Sequence, residues 1–133
     1  MYQISTFNYY YESGFKPIDS LNEKRFALIQ LRRGDEFWDK KLAFVQTFDT
    51  TYIFINFKII DTLSVNLKIS NNEYLDLAWG GMCYINNKLE YNIIALLSVK
   101  PPNIKVLKAW KADIVKRKII KIDADNLRCI CNQ

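Results

Sequence analysis

The side chains of this sequence able to do chemistry are three cysteines, fourteen carboxylates and a lysine-rich segment, and histidine is absent. Without an imidazole there is no Ser-His-Asp triad, no Cys-His dyad, no HExxH zinc site and no His-dependent phosphotransfer. A carboxylate pair can cleave glycosidic or phosphodiester bonds without histidine. Here Glu73 and Asp76 fall on opposite faces of a strand by alternation, and Asp123 and Asp125 read as turn acids. Cys83 lies in an apolar stretch, and Cys129-x-Cys131 is too tight a spacing for an ordinary bridge. Three reduced thiols are therefore expected, with no intrachain disulfide. Zinc would lack a fourth ligand, so no metal is expected either. No Walker A, GxGxxG or nucleophile-elbow sequence occurs. The expectation is a protein with no catalytic residues, no cofactor and no metal.

The informative signal is charge. Of nineteen basic residues, eight lie within residues 100–121 (Lys100, Lys105, Lys108, Lys111, Lys116, Arg117, Lys118 and Lys121), against one acid, Asp113. The whole chain carries +5, so the remainder is slightly acidic and the positive excess belongs to this segment. Such a local field favours a polyanion or an acidic protein face. Trp110, between Lys108 and Lys111, offers a stacking ring or an interface anchor. The partner-binding residues expected are Lys105, Lys108, Trp110, Lys111, Lys116, Arg117 and Lys118. Simple alternation puts Lys108 and Trp110 on the same strand face as Ile104, Val106 and Ile114, which makes Trp110 a packed ring rather than a stacking platform. The plainer alternative is a solvated hairpin whose lysines guard a sheet edge. Arg32-Arg33 with Lys40 and Lys41 is largely offset by Asp35, Glu36 and Asp39 and reads as ordinary surface.

The elements that must hold these residues follow from periodicity. The chain has 133 residues, half of them hydrophobic, with no internal repeat or linker, and is read as a single globular domain, 1–133. Residues 2–11 read as an opening strand, broken by Gly14 and Pro17. Ser20-Leu21-Asn22-Glu23 has capping-box form, and residues 24–31 fit helix and strand nearly equally. Phe37, Trp38, Leu42, Phe44, Val45 and Phe48 fall within about 160° of a helical wheel, predicting a core helix over 36–48. From Thr51 the period becomes two. Ile53, Ile55, Phe57 and Ile59 share one face, and Leu63, Val65, Leu67 and Ile69 share another, predicting two strands that turn at Asp61-Thr62. Glu73–Trp79 alternates, Gly80-Gly81 marks a bulge or turn, and Asn86-Asn87-Lys88 separates Met82–Ile85 from a long strand, Leu89–Val99. Ile104–Ile114 and Ile119–Asp123 form a hairpin turning near Val115–Lys118, and Leu127–Cys131 a short last strand.

The fold class predicted is α+β: one or two N-terminal helices packed on a curved, mainly antiparallel β-sheet of five to seven strands. Cystatin-like and NTF2-like rolls have a similar element order, an analogy of architecture only. No signal peptide and no apolar run near the ~20 residues of a membrane span is visible, so a cytoplasmic location and no membrane partner are expected. The leading function is a small intracellular inhibitor, of immunity or antitoxin type, that blocks a partner protein such as a toxin or enzyme. The alternatives are a nucleic-acid-binding module using the basic 100–121 hairpin, and a small-ligand-binding or enzymatic roll.

Overall fold

The computed structural model describes residues 11–18, 26–32, 39–50, 55–67, 74–100 and 102–130. Every regular element among them is a strand, in chain order β1 (Tyr11–Pro17), β2 (Phe26–Arg32), β3 (Asp39–Thr50), β4 (Ile55–Asn66), β5 (Tyr74–Trp79), β6 (Cys83–Ile85), β7 (Lys88–Glu90), β8 (Ile93–Lys100), β9 (Asn103–Asp113), β10 (Lys118–Ile122) and β11 (Leu127–Cys129). The α+β expectation is overturned: eleven strands form three antiparallel sheets, and no helix occurs among the described residues. The chain divides into two compact units, 1–66 and 67–133.

The first unit is a four-stranded meander, β1-β2-β3-β4. The residues of the predicted 36–48 helix that are described, 39–48, lie in β3, which pairs with β2 and β4. The physical reason is burial on both faces. Ala27, Ile29, Leu31, Ala43 and Val45 form one buried cluster, with Phe57 and Ile59 packed against it. Leu28, Leu42 and Phe44 face the other way and are also fully buried, with the Phe26 and Phe44 ring centroids 5.9 Å apart. A strand covered on both sides has apolar residues at odd and even positions alike, and on a helical wheel that fills a broad arc. Residues 26–31, compatible with either state from sequence, form β2 for the same reason. Gly14 and Pro17 do not break the chain but lie within β1, where the register shifts between Glu12 and Gly14. Residues 2–10, 20–23 and 33–38, including the capping box, Phe37 and Trp38, lie outside the described residues.

Nor do the described residues of the 53–69 stretch, 55–67, form two strands; Ile53 and Ile69 lie outside the described residues. β4 runs unbroken through Asp61-Thr62, and opposite β3 the partners jump from Phe44↔Asp61 to Val45↔Ile59, leaving Ile60 as the extra residue of a β-bulge. A bulge shifts alternation by one, so Ile59 and Leu63 face opposite sides of one strand. At the bulge the Thr62 N–H donates to Asp61 Oδ1 at 2.8 Å, which is the local chemistry that makes Asp-Thr look like a turn.

The second unit contains a four-stranded sheet, β10-β9-β8-β5, and a three-stranded one, β11-β6-β7. Ile93 and Ile94, Ala95, Leu96 and Leu97 of β8 are all buried, so this strand too is covered on both faces. The long strand expected over 89–99 is two: β7 returns on β6 through Asn86 and Asn87, whose φ of 50° and 67° are those of a two-residue hairpin turn that Asn tolerates, and Tyr91-Asn92 leads into β8. Gly80 and Gly81, with φ of 67° and 91°, make the turn from β5 into β6. No ligand needs the space beside Gly81, because the Tyr91 ring lies on it: a Cβ there would stand 2.9 Å from Tyr91 Cε1. The β9–β10 hairpin forms where the sequence places it, and of the last strand expected over Leu127–Cys131 residues 127–129 form β11, Cys131 lying outside the described residues.

Candidate functional site

Strand β9 sets the geometry of the basic segment, and a second bulge decides which way its lysines face. Along β8 and β9 the partners run Val99↔Ile104, Ser98↔Lys105 and Leu97↔Val106, then jump to Leu96↔Lys108 and Ala95↔Ala109. Leu107 is the extra residue. Without it Lys105 and Lys108, three apart, would face opposite sides; with it they share one. Trp110, opposite Ile94, follows on that face, as does Lys121 of β10, which pairs with Trp110. Lys100, two residues beyond Ser98, ends the row. The face bearing Lys100, Lys105, Lys108, Lys121 and Trp110 is here called the lysine face. Its four lysines are exposed and Trp110 is half-buried.

The opposite face carries Ile104 and Val106 and contributes to a buried cluster of Ala78, Met82, Cys83, Ile93, Ala95, Leu97, Val99 and Cys129. Lys108 and Trp110 therefore do not share a face with Ile104 and Val106. Unbroken alternation would set Trp110 beside Ile104 and Val106, and the Leu107 bulge breaks it. The acids of this sheet, Asp76 and Asp113, pair with Leu97 and Lys118 and so also fall on the opposite face. The lysine face has no acid: toward β5 and β8 it continues as Leu77, Trp79, Ile94 and Leu96, all buried.

The other expected contact residues are dispersed. Lys111 pairs with Ile93 and Ile120 on the side opposite the lysine face, and Lys118 is there too. Lys116 and Arg117 occupy the exposed turn, Arg117 with φ of 55°. The Lys116 N–H donates to Asp113 Oδ1 at 3.0 Å. That bond holds the Asp113 carboxyl below its ordinary value, and the ammonium groups of Lys111 and Lys116 add to the effect. The structure thus joins Lys105, Lys108 and Trp110 with Lys100 and Lys121, and separates them from Lys111 and Lys118. Lys121 was legible in principle, since alternation in β10 puts it on the face of Ile119, but its partner required the register. In the first unit Lys40 and Lys41 face opposite sides of β3 and form no patch.

Lys111 instead lines an open cleft of about 310 Å³ with Ile85, Ile122, Asp123, Asp125, Asn126 and Leu127. Asp123 is engaged there in a turn, accepting the Asp125 N–H at 3.1 Å. No group of three or more metal-ligating side chains is present among the described residues.

The thiol expectation is overturned. Cys83 and Cys129 stand directly opposite each other on β6 and β11, Cα atoms 4.1 Å apart, and are joined in a disulfide. The Ile130 N–H donates to Met82 O at 2.9 Å, so Cys83 and Cys129 are the non-hydrogen-bonded pair beside it, the closer kind of cross-strand pair. Spacing in the sequence could not show this, because the partners are 46 residues apart.

No family model matches this chain, and neither does any curated protein or solved structure. No helix among the described residues is long and apolar enough to cross a membrane.

Proposed function

We propose that this chain is a non-enzymatic binding protein that holds single-stranded nucleic acid along the exposed part of the lysine face, on β9 and β10 and the Lys100 end of β8. The observation that carries the reading is the acid-free row of Lys100, Lys105, Lys108 and Lys121 around Trp110. Side chains on one face of a strand recur about every 6.7 Å, and neighbouring strands lie about 4.8 Å apart, so the ammonium groups form a track suited to an extended backbone. An indole within that track supplies the sequence-tolerant stacking that single-strand binders use. A half-buried ring fixed by its sheet neighbours is a stiffer platform than one on a loop.

The test is fluorescence anisotropy of labelled mixed-sequence single-stranded RNA and DNA across a salt series. The wild-type chain is expected to bind with a steep salt dependence. Replacing Lys105, Lys108 and Lys121 together by Gln should flatten log K against log salt by about 0.7 for each lost contact. Trp110→Ala should lose about 1–3 kcal/mol at fixed salt. No affinity at physiological salt would overturn the reading.

One observation favours a second reading, the inhibitor of a partner protein. The same hairpin exposes Leu107 at 40% and Val115 at 92%, apolar side chains that a protein interface would cover and a phosphate backbone would not. Capture of a protein by the wild-type chain that is lost on Val115→Asp, together with no nucleic-acid affinity, would put this reading first.

A further inference from the structure

The side of β9 and β10 turned away from the lysine face borders a cavity of its own. Lys111 pairs with Ile120, and Ala109 with Ile122, so Lys111 and Ile122 are diagonal neighbours on this side. Ile85 of β6 and Leu127 of β11 are cross-strand partners, two positions along from the Cys83–Cys129 bridge and on its face. All four residues line the cleft of about 310 Å³. Ile85, Ile122 and Leu127 also pack against the buried cluster of this unit, so the apolar wall of the cleft is the outer edge of the core. The rest of the lining, including Asp123 and Asp125, comes from the turn that carries the chain from β10 to β11. Two hydrogen bonds shape this turn: the Asp125 N–H donates to Asp123 Oδ1 and the Leu127 N–H to Ala124 O, each at 3.1 Å.

We propose that this cleft binds a free α-amino acid with an apolar side chain. Its carboxylate is held by the Lys111 ammonium group, its ammonium group by the Asp125 carboxylate, and its side chain by Ile85, Ile122 and Leu127. Asp123 shapes the turn and adds to the negative charge around the bound ammonium.

Size, charge and rigidity support this ligand class. The volume stands at the small end of ligand pockets, about 300–1,000 Å³, which suits a molecule of amino-acid size and not a nucleotide. Asp123 lies three residues beyond Ile120, the partner of Lys111, or about 10 Å along an extended strand. The opposite charges therefore sit toward two ends of the apolar wall. With one ammonium and two carboxylates in the lining, a phosphate or a dicarboxylate meets net repulsion, and a simple amine leaves Lys111 without an anion. A zwitterion answers both ends. The disulfide ties β6 to β11 beside Ile85 and Leu127, so that wall is ordered before the ligand arrives and the cost of binding falls. The site is independent of the proposed nucleic-acid track, which lies on the other side of the sheet.

The experiment is a titration of the isotope-labelled full chain, followed by amide chemical shifts. The probes are L-leucine, 4-methylpentanoate, which lacks the ammonium group, isoamylamine, which lacks the carboxylate, and glycine, which lacks the side chain. L-leucine is expected to give saturable shifts at Ile85, Lys111, Ile122 and residues 123–127, with Kd of about 1 mM or tighter. The two singly charged analogues should bind about tenfold or more weakly, since each gives up one charged hydrogen-bonding contact, and glycine should bind more weakly than L-leucine. Lys111→Gln and Asp125→Asn should each weaken L-leucine about tenfold, while Lys88→Gln, on β7, leaves it unchanged. The absence of saturable shifts in the cleft at about 10 mM L-leucine or L-phenylalanine would overturn the proposal, as would either singly charged analogue binding as tightly as L-leucine. If a variant does not fold, the analogue series on the wild-type chain still decides.

Discussion

β4 in the first unit and β9 in the second each carry one residue too many for their neighbour, Ile60 and Leu107, and the two bulges have opposite results. In β4 the bulge distributes similar residues: Ile59 goes to the face of Val45 and Leu63 to that of Leu42, so both sides of the sheet stay apolar. In β9 the bulge gathers unlike ones, turning Lys108 and Trp110 to the side of Lys105 and leaving Ile104 and Val106 on the other. The first sheet uses the irregularity to keep two faces buried. The second uses it to make its faces different, one joined to a hydrophobic cluster and one fringed with exposed charge. A bulge is therefore a structural convenience in one unit and the positioning element of the candidate site in the other.

The contrast is sharpest in stability. Phe44→Ala, at a fully buried ring in β3, should cost about 3–5 kcal/mol in a denaturant melt. Lys108→Ala, on the exposed side of β9, should fall within about 0.5 kcal/mol. Comparable losses at both sites would erase the distinction between β3, buried on both sides, and β9, whose lysines stand exposed on one.

The second unit also depends on a covalent tie. Replacing Cys83 and Cys129 by Ala should cost about 2–4 kcal/mol, since the bridge closes a long loop in the unfolded chain. An unchanged melt would show that β11 is held by its backbone pairing alone. Gly81→Ala should cost about 1–3 kcal/mol because φ of 91° is strained for any side chain. Adding Tyr91→Ala should recover the part due to the clash with the ring and leave the backbone part, which a double-mutant cycle in urea would separate.

The smallest effect lies at the hairpin tip. Asp113 has a depressed pKa in the folded state, so its contribution to stability is present above the ordinary carboxylate range. It is lost as pH falls through that range to the lowered value. The difference in Tm between wild type and Asp113→Asn should accordingly shrink on acidification from about pH 6 to pH 2. A difference that grows on acidification would reverse the sign of the argument.

What the sequence made legible was local. The period of two, the Asn86-Asn87 turn, the β9–β10 hairpin and the density of charge in residues 100–121 all depend on residues near one another. The helix over 36–48 failed because Leu42, Ala43, Phe44 and Val45 are apolar at every position. Periodicity then carries no information, and only the pairing with β2 and β4 distinguishes strand from helix. The split at Asp61-Thr62 and the facing of Trp110 failed for a common reason: a bulge breaks alternation without any glycine or proline to announce it. The disulfide was hidden by distance along the chain. Of the candidate site, the residue types could be read but their division between two faces could not.

The Leu107 bulge is a single residue, and in a gene a single residue is one codon. Loss of that codon would leave every lysine of the segment in place and the overall charge unchanged, yet restore simple alternation, turning the half of β9 from Asn103 to Val106 over relative to the half beyond it. Lys105 and Lys108 would then face opposite sides. Families of such a chain could thus acquire or lose the charged track by an insertion or deletion of three nucleotides, a step that no count of substitutions or comparison of composition would register.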